Sequence, residues 1–465
     1  MTFVSWNFLF FFAAVLVGLR VMPTRESRQV LILVASIVFY ASGTPWHLLV
    51  LATPALVDYA CAIRIEDATD PETRKRWLLL SLVSNLGLLA YFKYANFFAD
   101  TVARLIGAHT APLDIALPVG ISFFLFKTMS YTIDVYRREL FASRSLWRYA
   151  MFVAYFPELV AGPIVRASIF LPQLTRTLEP SLARAGPGLQ RILLGITKKR
   201  LLADRLATYV DAIFAAPAAY SQWTVTGAVV AYSLQIYCDF SGYSDMAIGV
   251  SRVIGFDLPE NFDMPYRSTS ITDFWRRWHM TLSSWLRDYL YIPLGGNRRG
   301  EARTYVNLMI TMLLGGLWHG ANWTFVFWGF MHGVGLAVHK AWGGIVGGRR
   351  PFGGALGWAV TYAFVCVAWV FFRARDFATA TLVLRKIAGL EPGGVVWFYL
   401  PLAVALAVVV AAHAAAIVAE RRGAPQPLAA PPQSPFAGAF VVTAWLVGIF
   451  LLSPLRTSPF IYFRF

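Results

Sequence analysis

The sequence predicts a polytopic, all-α integral membrane protein. Three observations predict it: charge is scarce, the apolar blocks match the thickness of a bilayer core, and basic residues gather in alternate short loops. Hydrophobic residues make up 57% of the 465 and charged residues 14%, whereas soluble domains carry about a quarter charged residues. Residues 30–63 contain one charge, Asp58; residues 77–98 contain only Lys93; residues 398–418 contain none. About 20 apolar residues cross the hydrocarbon as a helix. Inside lipid every backbone N–H and C=O needs an internal partner, which a helix supplies. The short alternating segments of a membrane β-barrel do not occur.

The elements follow in order. Residues 6–19 form a short apolar block without a basic start, read as a retained first helix and not a cleaved signal. The loop after it carries Arg20, Arg25 and Arg28; the next basic loop carries Arg64, Arg74, Lys75 and Arg76; a third carries Arg137, Arg138, Arg144 and Arg148. The intervening loops are poor in positive charge, which places the N-terminus outside and the basic loops in the cytoplasm. Five crossings are expected up to about residue 152. The net charge of +16 would suggest nucleic acid in a soluble protein, but topology accounts for it here, so no nucleic-acid partner is expected. Cys61, Cys238 and Cys366 are isolated, which argues against a disulfide framework, a zinc site or any other metal centre. The chain reads as one domain, 1–465, without internal repeats: N-terminal helices 1–152, a middle section 153–340 and C-terminal helices 341–465. Residues 423–435 are a Pro/Ala-rich loop. The middle section mixes apolar blocks with Gly, Pro, Trp and clustered charge. Irregular backbone at membrane depth is tolerated only inside protein or along a cavity.

Three polar constellations lie there. In residues 271–292, ITDFWRRWHMTLSSWLRDYLYI, the side chains of Phe274, Trp275, Trp278, Leu282, Trp285 and Tyr289 recur at helical spacing. Arg276, Ser283 and Arg287 fall on another face, a pattern that describes one helix lying at the membrane surface. PLGGNRRG follows, with Arg298 and Arg299. Two readings stand side by side: an interfacial anchor whose arginines touch lipid phosphates, or a site where His279 points into the protein and the arginines hold an anionic donor. Residues 306–338 lack Lys, Arg, Asp and Glu but carry His319, Asn322, His332 and six glycines. The run exceeds one crossing, and its glycines allow a break or close helix packing. An ionisable group inside the membrane is expensive and faces a cavity, a relay or a partner; for His319 the alternative is a hydrogen bond to a neighbouring helix. In YCDFSGYSDMAIG, Asp239 and Asp245 fall on different helix faces. They are expected to bond to neighbouring helices or basic residues, not to form an acid/base dyad.

P-loop, GxGxxG, GxSxG and HExxH motifs are absent. Five long segments instead carry a family resemblance: FPELVAGPI (156–164), YCDFSGYSDMAIG, NFDMPYRSTSITDFWRRWHMTLSSWLRDYLYIPLGGNR (261–298), GLWHGANWTFVFWGFMHG (316–333) and the terminal FIYFRF. Across nearly the whole chain the sequence resembles the membrane-bound O-acyltransferases (MBOAT), in their bacterial alginate O-acetylation branch. One departure is Arg464, where the family pattern has Gln.

The resemblance implies a ring of tilted helices around a thin centre, with a cytoplasmic funnel, in the bacterial inner membrane. It puts the family's catalytic histidine at His319 and a second catalytic position at His279. Acyl transfer needs an activated nucleophile and a stabiliser for the developing carbonyl charge. His319 would act as general base and His279 would position the acyl group or the acceptor. No permanently bound cofactor is expected; acetyl-CoA would be the donor substrate, with Arg276, Arg287, Arg298 and Arg299 as candidates for its phosphates. Partners implied are membrane lipid, a periplasmic SGNH-type acetyltransferase and a polysaccharide acceptor such as alginate. Readings of other kinds are a polysaccharide or lipid-linked-sugar flippase with a histidine proton relay, and a D-alanyl transferase of the teichoic acid type.

Overall fold

A computed structural model describes residues 1–108, 111–175, 181–347, 354–422, 435–454 and 458–461. The described residues are helical apart from loops and one isolated bridge between Tyr220 and Val395. Among the described residues, four helices are long and apolar enough to cross a membrane: His47–Asp67, Pro71–Leu105, Gly354–Arg373 and Leu400–Arg421. Trp6–Val21 and Phe440–Leu452 are shorter apolar helices. Most of the loop expected at 423–435 and the last four residues of FIYFRF, Arg464 included, lie outside the described residues.

The chain forms two compact units. One comprises Met1–Ile192 and Met246–Pro259, the other Leu193–Asp245 and Glu260–Phe465.

In the first unit, five helices occur where five apolar blocks were expected: Trp6–Val21, Arg25–Ala41, His47–Asp67, Pro71–Leu105 and Ile121–Arg137. Their starts are written locally. Ser5 caps the first through the amide of Phe8; Thr24 and Ser27 form a capping box on the second; Asp70 caps the fourth, with Pro71 in its first turn. Ile121–Arg137 is buried on nearly every face, so its polar side chains are paired within the protein. Lys127 forms a buried ion pair with Glu158 and donates to the Phe152 carbonyl at 2.6 Å. The Thr128 hydroxyl donates to Asn85 Oδ1 at 2.8 Å, while Asn85 Nδ2 and the Ser81 hydroxyl donate to Asp58 at 2.8 and 2.6 Å. The lone carboxylate of block 30–63 is therefore fully engaged.

In the second unit the helices that matter for the site are the part of Gln222–Ile254 up to Asp245, Ile271–Arg277, Met280–Leu286, Glu301–His319, Trp323–Ile345 and Gly354–Arg373. The expected surface helix over 271–292 is corrected in two respects. It is interrupted at Trp278 and His279, which are extended and left-handed respectively, and it ends in a π turn, Arg287–Tyr291. Its aromatic stripe also faces protein, not lipid: Phe274, Trp278, Leu282, Trp285 and Tyr289 are buried, and Trp275 is half-buried with its Nε1 donating to His332. The run 306–338 breaks at Gly320–Asn322 into two helices that touch closely. A Cβ on Gly316 would lie 2.3 Å from the Phe325 carbonyl oxygen, and one on Gly329 2.2 Å from that of Met312. Only hydrogen fits at these crossings, as small-residue packing between membrane helices requires.

Candidate functional site

His319 is the last residue of Glu301–His319, and the chain leaves that helix through extended Gly320. Asn322 starts the next helix: its side-chain oxygen accepts from the amide of Thr324 at 3.0 Å and its Nδ2 donates to the Arg375 carbonyl at 3.0 Å. The cap fixes the turn that follows the histidine. The His319 imidazole is buried, 4% exposed, among Trp318, Trp328 and Phe372, with ring centroids 5.0, 5.1 and 5.1 Å away.

His279 is fully buried and has φ +43°. A non-glycine residue in this region costs on the order of 1–3 kcal/mol and persists only where its surroundings over-determine it. Those surroundings are supplied by Asn261. The Asn261 carbonyl accepts from the amide of Met280 at 2.9 Å, and two residues on the amide of Asp263 donates to the Arg277 carbonyl at 2.9 Å. The Asn261 side-chain oxygen meets three groups at once: Nδ1 of His279 at 3.1 Å, the amide of Thr281 at 3.3 Å and the Thr281 hydroxyl at 2.9 Å. Its Nδ2 donates to the Ser244 hydroxyl at 3.2 Å. Arg277, just before the break, pairs with Asp263 and with Asp273.

The two predicted histidines share one neighbour. The Trp318 ring lies 6.1 Å from that of His279 and 5.0 Å from that of His319. The remaining wall is aromatic: Phe240 meets His279 edge-on at 4.6 Å, Trp278 packs on Trp369 at 5.1 Å, and Trp369 stacks on Trp328 at 5.7 Å. His332 is fully buried behind Trp328, 4.6 Å from it, and its Nδ1 accepts from Trp275 Nε1 at 3.2 Å.

The four candidate arginines are exposed and lie on one stretch of chain, Arg276 on Ile271–Arg277, Arg287 on the π turn, and Arg298 and Arg299 in the glycine-bearing loop after it. Arg287 is engaged by its neighbour Asp288 at 2.7 Å. The loop is tied to the His319 helix, because Asn307 Nδ2 donates to the Gly296 carbonyl at 3.0 Å.

Asp239 and Asp245 bond to basic residues, as expected. Lys199 reaches Asp239 at 2.6 Å and Asp204 at 3.0 Å, and Lys198 reaches Asp245 at 2.6 Å. These lysines lie on a π segment, Thr197–Ala203, and Lys199 also donates to the Ser458 carbonyl at 2.9 Å. Asp239 accepts from the amide of Ile461 at 2.7 Å. The ion pairs thus hold the start of the terminal motif, with Phe460 packed 5.8 Å from Phe240, the residue that abuts His279. Asn261 is the site residue that sequence reasoning missed. The signal was present, a lone amide in NFDMP just ahead of a proline-led turn, but nothing in it named the partner 18 residues on.

Comparison with known proteins agrees with the resemblance. Residues 32–377 match the model of the MBOAT, membrane-bound O-acyltransferase family. The chain is 38% identical to the Pseudomonas putida protein named "Probable alginate O-acetylase AlgI", over 100% of both chains. It is 38% identical to the peptidoglycan O-acetyltransferase of Helicobacter pylori, over 77% of this chain and 73% of that one. It is 28% identical to the teichoic acid D-alanyltransferase of Bacillus subtilis, over 58% and 72%. With most of its length matched, and with buried histidines among apolar helices, the chain belongs to the membrane-bound O-acyltransferase family and is a multi-pass membrane enzyme of that kind.

Proposed function

We propose that this enzyme moves an acetyl group from acetyl-CoA, entering from the cytoplasm by a funnel, across the bacterial inner membrane. The acetyl group passes to a polysaccharide hydroxyl, with alginate the first candidate and an SGNH-type periplasmic acetyltransferase as partner. The observation that carries this reading is the pair of buried imidazoles on the single Trp318 indole, in a chain with a full-length O-acetylase relative. His319 takes the proton of the attacking hydroxyl, whose oxygen bonds to the thioester carbonyl carbon. The C–S bond then breaks, and the proton passes from His319 to the departing thiolate. His279 positions the reacting groups. The aromatic wall keeps water from competing as acceptor. Arg298 and Arg299 hold the phosphates of the donor, and Arg276 and Arg287 flank them.

The test uses purified full-length protein in detergent with acetyl-labelled acetyl-CoA and an alginate oligosaccharide. Release of CoA together with label on the saccharide is expected. Saccharide movement across reconstituted vesicles with no bond made would replace this reading with a flippase. A requirement for an acyl-loaded carrier protein would replace it with D-alanyl transfer.

A further inference from the structure

The geometry points to Asn261 as a positioning residue that fixes which nitrogen of His279 carries the proton, and so assigns His279 to a second hydroxyl of the acceptor saccharide, beside the one that His319 deprotonates, and not to the acyl carbonyl. The inference rests on the acyl-transfer reading of the same site and makes it more specific.

The Asn261 side-chain atom that faces His279 also receives the amide N–H of Thr281, at 3.3 Å. A backbone N–H only donates, so this atom is the amide oxygen and not the nitrogen. The opposite end of the same side chain, Nδ2, donates to Ser244 at 3.2 Å, which agrees. An amide oxygen only accepts, so Nδ1 of His279, 3.1 Å away, is the protonated nitrogen. In the neutral ring Nε2 then carries the lone pair. A lone pair can receive the hydrogen bond of a hydroxyl; it cannot donate to a carbonyl oxygen or to the oxyanion that develops from it.

The orientation is as fixed as the proton. The Asn261 carbonyl holds Met280, its side-chain oxygen holds Thr281, and between them His279 is kept in its left-handed conformation. His332 provides an internal contrast. Its Nδ1 accepts from the Trp275 indole N–H at 3.2 Å, so in the neutral ring its proton lies on Nε2, the reverse arrangement. Two histidines in one aromatic core are therefore set to opposite tautomers by their neighbours, and the acceptor-type Nε2 belongs to the one beside Trp318.

The experiment is ring-nitrogen NMR on full-length protein labelled with 15N-histidine in detergent, with the His279 signals identified as those missing from His279→Gln. A neutral imidazole protonated at Nδ1 is expected in the wild type. Asn261→Ala should let the Nε2-protonated form appear and lower kcat/KM for alginate oligosaccharide about 10²-fold, the cost of about 1 Å of misplacement, with KM for acetyl-CoA unchanged. Asn261→Asp, which keeps the accepting oxygen, should recover most of that loss. A wild-type His279 protonated at Nε2, in an enzyme that His279→Gln inactivates, overturns this inference alone. Full acetyl transfer by His279→Gln overturns the reading of the site on which it rests. The wild-type spectrum decides the tautomer even if the Asn261 variants fold poorly.

Discussion

The two proposed catalytic histidines are held by different physics. His319 is placed by shape: it ends a regular helix that meets its neighbour where Gly316 and Gly329 leave no room for a side chain. His279 is placed by hydrogen bonds: it sits in a break that the aromatic packing alone would not select, held open by one buried asparagine. Close packing is unforgiving of added volume, whereas a buried polar clamp is unforgiving of a lost hydrogen-bond partner even when volume is kept. The two regions should therefore fail under different substitutions.

The largest expected effect is on the chemistry itself. His319→Ala should lower acetyl transfer by about 10²–10⁴-fold while the purified protein keeps its monodisperse elution; unchanged transfer would remove His319 from the mechanism. Next, Gly316→Ala should destabilise the helix pair by about 1–3 kcal/mol, the usual cost of overpacking, read as a lower melting temperature in detergent. A wild-type melting curve would show that the crossing can open, so that His319 is not held by shape alone. Asn322→Ala removes the cap that follows His319 and should cost about 1 kcal/mol; Asn322→Asp, which keeps the accepting oxygen, should cost less. Thr281→Val deletes one of three groups on the Asn261 oxygen without changing volume and should cost about 1 kcal/mol, with a matching drop in acceptor kcat/KM. The smallest effect is expected at the surface, where Arg298→Gln with Arg299→Gln should raise KM for acetyl-CoA by about threefold or less. An unchanged donor KM would return these arginines to lipid anchoring.

Where the chain is plainly apolar, its helices were legible from sequence. The five blocks expected up to about residue 152 became five helices, since a long run poor in charge leaves few alternatives in lipid. The break at Gly320 was foreshadowed by length and glycine content. The break at His279 was not, because Phe274, Trp278, Leu282, Trp285 and Tyr289 keep a helical period straight through it. Periodicity reports which side chains are buried; here they are buried from two short helices whose offset preserves the count. That Asp239 and Asp245 bond to neighbouring helices or basic residues was expected in kind, since carboxylates in an apolar block need partners, but the identity of Lys198 and Lys199 is a tertiary fact. Asn261 was unreadable for the same reason: its oxygen matters only once the chain has returned to it.

The helix Glu301–His319 carries the arginine loop at one end and the proposed base at the other. At roughly 1.5 Å per residue, its 19 residues act as a ruler about as long as the hydrocarbon is thick. A molecule gripped at the loop while its thioester reacts at His319 must be drawn out along most of that length. In the proposed mechanism, thioesters of short thiols, lacking the nucleotide, would reach the far end without the phosphates that Arg298 and Arg299 are proposed to hold.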